Sequence, residues 1–417
     1  MLSLKYGQSE LSFDPDRPQS SLLFLEPRRG GRDGSEGELI GSALAQPVGS
    51  SRLADLVRPG QRVAIVTGDI TRSCPSARLL PPVLAELYRG CVCDKDISIV
   101  FGLGSHRTHS RQEQRKLVGD DIYQRVHCVD SDPSSAALIG HTIRGTPVTV
   151  FRPVLAADVR VCLGVIEYHY FAGYSGGLKA VVPGVCGPDT IQHNHCMMSE
   201  PGAFAGNLDG NPVRTDIDEA GALIGVDFIL NVILNESKQI VGAVAGHPRL
   251  AHRKGCACLD AFGRATLEQP ADIVVVSAGG YPRDINLYQA QKALDNARHI
   301  VRQGGVILLV AECREGTGHS VFEEWMKDPG GPEAIIARIC REFVLGGHKA
   351  VAVAMAMKQA AIYLVSNLPF ELARSMGFLP FASLEEAFRS ALAQVSPSAT
   401  VVVIPQGGSV LATVRKQ

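Results

Sequence analysis

The sequence predicts an α/β fold of two domains, each with a mainly parallel sheet covered by helices. Two observations carry this prediction. Continuous runs of valine, isoleucine and leucine alternate with helical segments, a pattern typical of parallel sheets that are buried on both faces. A length of 417 residues, of which 45% are hydrophobic and 20% charged, suits two globular domains of ordinary size better than one.

The first domain is predicted to open with a hairpin, because residues 1–18 alternate apolar and polar side chains. The following stretch, residues 28–38, is predicted to be a polar, glycine-rich loop. Strands and helices then follow in turn. The strands are predicted over residues 62–69, 96–104 and 158–167, and the helices over 77–90, from about Ser110, from about Gly187 and over about 247–266.

The strand pattern restarts after residue 270. Four further strands are predicted, over residues 271–280, 305–313, 360–368 and 400–406. We therefore place the domain boundary near residues 267–271. The N-terminal domain comprises residues 1–268 and the C-terminal α/β domain residues 269–406, and the tail, about 407–417, is expected to pack back on the N-terminal domain.

Charge and composition exclude several classes of protein. The formal net charge is −1, so no electrostatic footprint for nucleic acid or an anionic membrane is present. The N-terminus lacks the basic and apolar regions of a signal peptide, and the apolar run at 350–357 is too short to span a bilayer. Eleven cysteines are scattered, and their Cys-x-Cys pairs lack a second half with zinc spacing. We expect reduced thiols in a cytoplasmic protein.

Polar side chains follow several of the predicted strands, at the point where each strand ends. Ligands of open parallel α/β sheets bind beyond the carboxyl ends of the strands, so these side chains are candidates for a common site. In the first domain they are Asp69, Thr71, Arg72, His106, Arg107, Glu167 and His169, and in the second domain Tyr288, Gln289 and Lys292.

The stretch HYFAGYSGGLKAVVPGVCGPDTIQHNH, residues 169–195, places Lys179 on a glycine turn between two histidines. The turn is not a P-loop, because Leu178 stands where that motif requires glycine, and no complete G-x-G-x-x-G occurs in the chain. Each histidine taken alone is better explained as a partly buried structural residue than as a functional one. The candidates become informative only as an ordered set.

That ordered set resembles the nickel-pincer lactate racemase family. The resemblance rests on Asp69-x-Thr71-Arg72, on His106-Arg107, on the spacing His169–x9–Lys179–x15–His195, and on Tyr288-Gln289-x-x-Lys292. It extends over nearly the whole chain and includes residues 246–255 and 346–350. The central spacing is its most specific part.

The resemblance implies a nickel-pincer nucleotide, a nickel-bearing pyridinium-3-thioamide-5-thiocarboxylic acid mononucleotide, held in a cleft between the domains. Lys179 would be attached to it covalently, His195 would be the nickel ligand, and His106 and His169 would be the paired acid/base residues. Further cofactor contacts would come from Asp69, Thr71, Arg72, Ser175, Gly176 and Gly177, and substrate contacts from Arg72, Tyr288, Gln289 and Lys292.

The implied activity is racemisation or epimerisation of lactate-like 2-hydroxy acids. One histidine takes the hydroxyl proton while the Cα hydrogen leaves as hydride, and the 2-keto acid then receives the hydride on its other face. Implied partners are the cofactor-maturation enzymes, namely a carboxylase/hydrolase, a sulfur insertase and a nickel insertase. Two departures from the family pattern bear on the substrate: Ser73 and Tyr168 stand where proline is expected.

Other functions remain open on the sequence. The same cofactor would serve an epimerase of a sugar acid or of a larger 2-hydroxy acid. A Schiff-base enzyme could use a free Lys179 of depressed pKa, and a histidine-bound zinc hydrolase would need a third ligand that the sequence does not clearly offer. A non-catalytic binding protein would keep the fold without the cofactor.

Overall fold

A computed structural model describes residues 2–14, 22–26, 34–235, 237–408 and 410–415. The chain divides into two compact units. The N-terminal unit is Arg29–Phe262, and the C-terminal unit combines Met1–Arg28 with Gly263–Gln417. This division lies close to the predicted boundary after residue 268. It differs from the prediction in assigning the first 28 residues to the C-terminal unit.

The described residues contain twenty strands. They are β1 (Leu2–Tyr6), β2 (Ser9–Phe13), β3 (Leu22–Phe24), β4 (Val63–Gly68), β5 (Ile97–Gly102), β6 (His127–Asp130), β7 (Ala136–His141), β8 (Pro147–Phe151), β9 (Val159–Val165), β10 (Tyr168–His169), β11 (Gly173–Tyr174), β12 (Phe228–Leu234), β13 (Ile240–Gly246), β14 (Arg264–Leu267), β15 (Ala271–Ser277), β16 (Val301–Val310), β17 (Ala360–Val365), β18 (Leu379–Phe381), β19 (Val401–Ile404) and β20 (Leu411–Val414).

Fifteen α-helices lie in the same residues. They are α1 (Glu36–Ala45), α2 (Leu53–Leu56), α3 (Ser76–Arg89), α4 (Arg111–Val118), α5 (Asp120–Arg125), α6 (Arg152–Leu155), α7 (Pro188–Cys196), α8 (Pro212–Ile224), α9 (Pro248–Gly263), α10 (Leu287–Arg298), α11 (Ser320–Met326), α12 (Gly331–Arg341), α13 (Gly347–Gln359), α14 (Phe370–Ser375) and α15 (Leu384–Val395).

The N-terminal unit is built on a six-stranded sheet of order β13-β12-β9-β4-β5-β6. All neighbouring strands are parallel except β12 and β13, which form an antiparallel hairpin. Ile65 of β4 lies between Ile99 of β5 and Val161 of β9 in register, and all three are fully buried. Parallel strands covered on both faces explain the continuous apolar runs of the sequence.

The C-terminal unit has a parallel six-stranded sheet of order β18-β17-β16-β15-β19-β3. The hairpin β1–β2 packs in this unit, where Phe13 contacts Phe388 of α15 with ring centroids 5.2 Å apart. The tail strand β20 pairs with β14, which directly follows α9. These contacts explain why both ends of the chain group with the C-terminal unit.

The predicted fold class is confirmed, as is the hairpin at the start. The seven predicted strands are confirmed as well and correspond to β4, β5, β9, β15, β16, β17 and β19. The predicted loop at 28–38 is wrong at its end, because Ser35 caps a helix that begins at Glu36. A reciprocal pair of hydrogen bonds between Ser35 and Glu38 forms this capping box. Residues 28–33 of that prediction lie outside the described residues.

Two further findings concern membrane-spanning helices and disulfides. No helix in the described part of the chain is long and apolar enough to cross a membrane. None of the eleven cysteines forms a disulfide in the structure.

The core of the N-terminal sheet allows a test of the fold. Ile65→Ala should lower the free energy of unfolding by about 2–5 kcal/mol, because it opens a cavity in the hydrophobic core that Ile65 shares with Ile99 and Val161. Ile143→Ala, at a side chain that is 94% exposed, should change it by less than about 0.5 kcal/mol. Urea unfolding followed by far-ultraviolet circular dichroism measures both values. Equal midpoints for the two variants would contradict the placement of Ile65.

Candidate active site

Asp69 and His106 follow the carboxyl ends of two adjacent strands, β4 and β5, and meet there. The Asp69 carboxylate is buried, and its Oδ2 lies 3.0 Å from His106 Nδ1. Thr71 donates its amide to Asp69 Oδ1 at 2.7 Å, and Arg72 Nε lies 3.5 Å from Oδ2. Asp69, Thr71, Arg72 and His106 are therefore one connected group.

The pKa of Asp69 reflects this group. Burial alone would raise the pKa of the carboxyl, but hydrogen bonds from His106 and Thr71 and the charge of His106 hold it well below its ordinary value. Asp69 is therefore ionised throughout the physiological pH range and can orient the His106 ring.

His169 lies in a short hairpin formed by β10 and β11. Its Nδ1 accepts a hydrogen bond from the Ala172 amide at 3.3 Å. The Phe171 ring contacts both predicted imidazoles, with its centroid 4.5 Å from that of His169 and 5.0 Å from that of His195. His195 is buried in α7, which begins after Gly187 as predicted. One aromatic ring therefore contacts both histidines.

The glycine turn before Lys179 is held by side chains from two other elements. Gly176 and Gly177 both have positive φ, which favours glycine. Asn231 of β12 accepts the Gly177 amide at 2.7 Å, and His252 of α9 contacts the Ser175 carbonyl at 2.8 Å. A side chain at Gly177 would also meet the His252 ring. Local conformation and packing therefore explain Ser175, Gly176 and Gly177.

Arg214 of α8 fixes the segment between His169 and the glycine turn. The guanidinium is fully buried and donates to the carbonyls of Ala172 and Tyr174. Asp218, one helical turn later, lies 3.7 Å from its Nη1. A buried charge is tolerated where it is paired and hydrogen-bonded, and Arg214 meets both conditions in part.

Lys179 has no such partner: among the described residues, no hydrogen bond or ion pair joins its amine to another group. Its pKa lies well below the ordinary value because burial disfavours the ammonium, and because Arg72 and Arg214 add like charge. The residue as a whole is half-buried, and burial of its amine disfavours the charged form. The amine is therefore prone to be neutral.

The same neighbours act on His169. Its pKa is lowered by burial first, then by the positive charges of Lys179, Arg72, His195 and Arg214. The predicted residues Arg72, Lys179 and His195 thus lie near enough to His169 for their charges to act on it. Asp69 contacts both Arg72 and His106 and so connects His106 to this group.

The predicted residues of the C-terminal unit form a separate cluster at the start of α10. Asn286 caps this helix by accepting the Gln289 amide at 3.0 Å. Lys349 of α13 donates to the Tyr288 carbonyl at 2.9 Å, and its Nζ lies 3.9 Å from the centroid of the Tyr288 ring. Lys292 is exposed on the same helix.

The two departures from the family pattern both take part in hydrogen bonds. Ser73 donates to Glu167 at 2.7 Å and so joins the Asp69 segment to the strand end before His169. Tyr168 donates to Asp260 at 3.0 Å. These contacts explain why polar side chains are accommodated at both positions.

Sequence reasoning missed the residues that hold the site from behind, namely Asn231, His252 and Arg214. Asn231 did leave a signal, because it is the single polar residue in the apolar strand FILNVIL. No group of three His, Cys, Asp or Glu side chains in the described ranges is arranged to hold a metal ion.

Comparisons with known proteins identify the family. The model of the lactate racemase N-terminal domain matches residues 6–206, and that of the lactate racemase C-terminal domain matches residues 266–412. The lactate racemase of Thermoanaerobacterium thermosaccharolyticum is 32% identical over 98% of both chains. That of Lactiplantibacillus plantarum is 32% identical over 90% of this chain and 91% of its own.

Solved structures agree. The lactate racemase apoprotein from T. thermosaccharolyticum superposes with a TM-score of 0.88 at 32% identity, covering 99% of each chain. A protein from Thermotoga maritima superposes with a TM-score of 0.64 at 18% identity, covering 93% of this chain and 100% of its own, and shows the fold alone. The family resemblance found in the sequence is confirmed.

The anchoring of the glycine turn is testable. Asn231→Ala should leave the Gly177 amide without its acceptor and speed its hydrogen exchange, since an unsatisfied buried amide costs about 1–3 kcal/mol. Asn235→Ala, just beyond the same strand, should leave the exchange of residues 173–182 unchanged. Hydrogen–deuterium exchange with mass spectrometry measures both. Unchanged protection in the Asn231 variant would contradict the assigned anchor.

Proposed function

Since this chain belongs to the lactate racemase family and is an isomerase of the racemase class, we propose that it interconverts the enantiomers of lactate or a similar 2-hydroxy acid. The observation that carries the proposal is the Lys179 amine, which has no carboxylate partner and lies near enough to Arg72 and His169 for their charges to interact. The nickel-pincer nucleotide and the residue roles below are part of this proposal.

His106 is proposed as one acid/base residue. An ionised Asp69 accepts from Nδ1 at 3.0 Å, which assigns the proton of a neutral ring to Nδ1. Nε2 then carries the lone pair and is the atom that can take a hydroxyl proton from substrate. The same carboxylate stabilises the imidazolium that forms, in the way that a buried aspartate supports a catalytic histidine.

His169 is proposed as the second acid/base residue. Burial and the neighbouring positive charges lower its pKa and favour the neutral ring, which is the form that accepts a proton. The bond from the Ala172 amide, at 3.3 Å, is long and costs little to release when the ring changes protonation. Two bases suit a racemase, because the substrate presents its groups in mirror-image arrangements.

The residues of the N-terminal unit fit the implied cofactor. An amine without a carboxylate partner can be acylated, and acylation removes its charge from beside Arg72 and Arg214. The remaining positive charge suits a group that carries thiocarboxylate and phosphate. Lys179 would hold the group covalently and His195 would bind its nickel, with further contacts from Asp69, Thr71, Arg72, Ser175, Gly176 and Gly177.

When bound, this group would supply the nickel ion and the acceptor for the Cα hydride. If that group supplied the other nickel ligands, His195 would be the one protein ligand, and a cluster of protein ligands would not be required. Imidazole is a suitable nickel donor.

The substrate carboxylate is assigned to Arg72, whose guanidinium can form a bidentate pair with it. For Tyr288, Gln289 and Lys292 we propose further substrate contacts. The support is the family resemblance and the two contacts by which Lys349 fixes Tyr288.

The decisive experiment is co-expression with the cofactor-maturation enzymes, which we propose as partners. The wild-type chain should gain a covalent adduct on the peptide that contains Lys179, bind nickel, and racemise lactate. Lys179→Arg should lose the adduct and the activity, because a guanidinium is not acylated under these conditions. Lys254→Arg, an exposed lysine of α9, is the matched control. An adduct on another lysine would refute the assignment.

The paired histidines predict a second result. His106→Ala and His169→Ala should each slow racemisation in both directions, since a lost acid/base group costs about 10²–10⁴-fold. In a single turnover of the loaded enzyme, the two variants should form keto acid from opposite enantiomers. Chromatographic quantification of the keto acid measures this. The same enantiomer preference in both variants, or normal turnover in one, would contradict the two-base reading.

A further inference from the structure

His109 lies three residues after His106 and is almost completely enclosed. Its side chain is 1% exposed, against 12% for that of its partner Asp130. The Phe101 ring packs edge-on against the His109 ring, with the two ring centroids 5.4 Å apart. None of the predicted site roles includes His109, although two short hydrogen bonds connect its ring to the Asp69 segment and to the end of β6.

The two ring nitrogens of His109 have different partners. Nε2 lies 3.0 Å from the Ile70 amide, and Nδ1 lies 2.7 Å from Asp130 Oδ1. A backbone N–H can only donate, so Nε2 must carry a lone pair and the ring proton is assigned to Nδ1. Asp130 also accepts the His109 amide at 2.7 Å and the Gln114 side chain at 3.1 Å. The ring is therefore held in one orientation and one tautomer.

The Ile70 amide belongs to the peptide group that directly follows the Cα atom of Asp69. The carbonyl of that same peptide group, Asp69 O, accepts the Arg72 amide at 3.0 Å. Both polar ends of the Asp69–Ile70 peptide are thus hydrogen-bonded, one of them by His109. The orientation of this peptide determines where the Asp69 side chain begins, and the Asp69 carboxylate contacts His106.

We propose that His109 is a positioning residue for the acid/base pair Asp69–His106, acting through the Ile70 amide while Asp130 fixes its tautomer. His109 does not touch the reacting atoms. Its role rests on the proposed function, because it matters for catalysis only if His106 transfers a proton. A 1 Å error in the position of a catalytic group can cost about 10²-fold in rate. Loss of the single hydrogen bond between His109 and the Ile70 amide can therefore lower the rate measurably.

Two substitutions separate the positioning bond from simple packing. The side-chain amide of asparagine matches the Nδ1 position of histidine, so His109→Asn keeps a donor for Asp130 and leaves the Ile70 amide without an acceptor. The amide of glutamine matches the Nε2 position, so His109→Gln restores an acceptor for Ile70 and gives up the bond to Asp130. His127→Asn, at an exposed residue of β6, is the control.

The first readout is the tautomer of His106 in the cofactor-free chain, observed by nitrogen-15 NMR of labelled histidine. Wild type, His109→Gln and His127→Asn should show Nδ1 protonated and Nε2 bare at His106, because Asp69 stays in place. His109→Asn should show a second tautomer.

The second readout is kcat of the loaded enzyme, which should fall about tenfold or more in His109→Asn alone, with KM little changed.

The outcomes distinguish the possibilities. If both His109 variants lose the same factor in kcat and keep the His106 tautomer, His109 only fills the core and the proposal is wrong. If His109→Gln is the worse variant, the Asp130 bond is what matters and the proposal is also wrong. If His109→Asn does not fold, His109→Gln alone decides the question. An altered His106 tautomer in folded His109→Gln would then contradict the proposal. A wild-type chain without racemase activity would count against the proposed function, whereas the tautomer result would still decide the role of His109.

Discussion

The site of the N-terminal unit depends on one constraint: Lys179 lies near the positive charges of Arg72 and Arg214 and has no carboxylate partner. Moving a charged amine from water into protein is costly, and Arg72 and Arg214 increase the cost. As a result, the pKa of Lys179 is lowered, and its amine is neutral more often than the amine of an ordinary lysine. A neutral amine is a nucleophile, and a nucleophile is what covalent attachment of a cofactor requires.

The surrounding elements keep the amine in this position. Asn231 and His252 fix the glycine turn, and Arg214 fixes the backbone just before it, so three different elements of secondary structure hold one loop. The carboxylate of Asp69 is occupied by His106 and Thr71. Lys179 therefore remains unpaired while His106 is supported by an anion. This difference matches the different roles that we propose for the two side chains.

Much of this arrangement was predictable from the sequence, for a physical reason. Buried parallel strands appear as continuous apolar runs, and their carboxyl ends point to the place where ligands bind, so Asp69, His106 and His169 could be placed near one another. The antiparallel strand β13 and the placement of β1 and β2 in the C-terminal unit were not predictable in this way. A local pattern shows that a strand exists but does not show which sheet it joins.

The supporting side chains were hidden for a related reason. His252 and Arg214 lie on amphipathic helices, where polar residues are usually solvated, and only the folded chain shows that both are buried. His109 lies close in sequence to the predicted residue His106, but its hydrogen bonds connect it to Asp130 and Ile70, which are distant in sequence. Spacing along the chain carries no information about such contacts.

The state of Lys179 is the most direct test of this account. In the cofactor-free chain, carbon-13 NMR of the lysine Cε atoms across a pH series measures the pKa of each amine, and Lys179→Arg identifies the signal. The account predicts that Lys179 titrates well below the other lysines, and that Arg72→Met moves its pKa part of the way back. Titration of Lys179 near the ordinary lysine value of about 10.4 would contradict it.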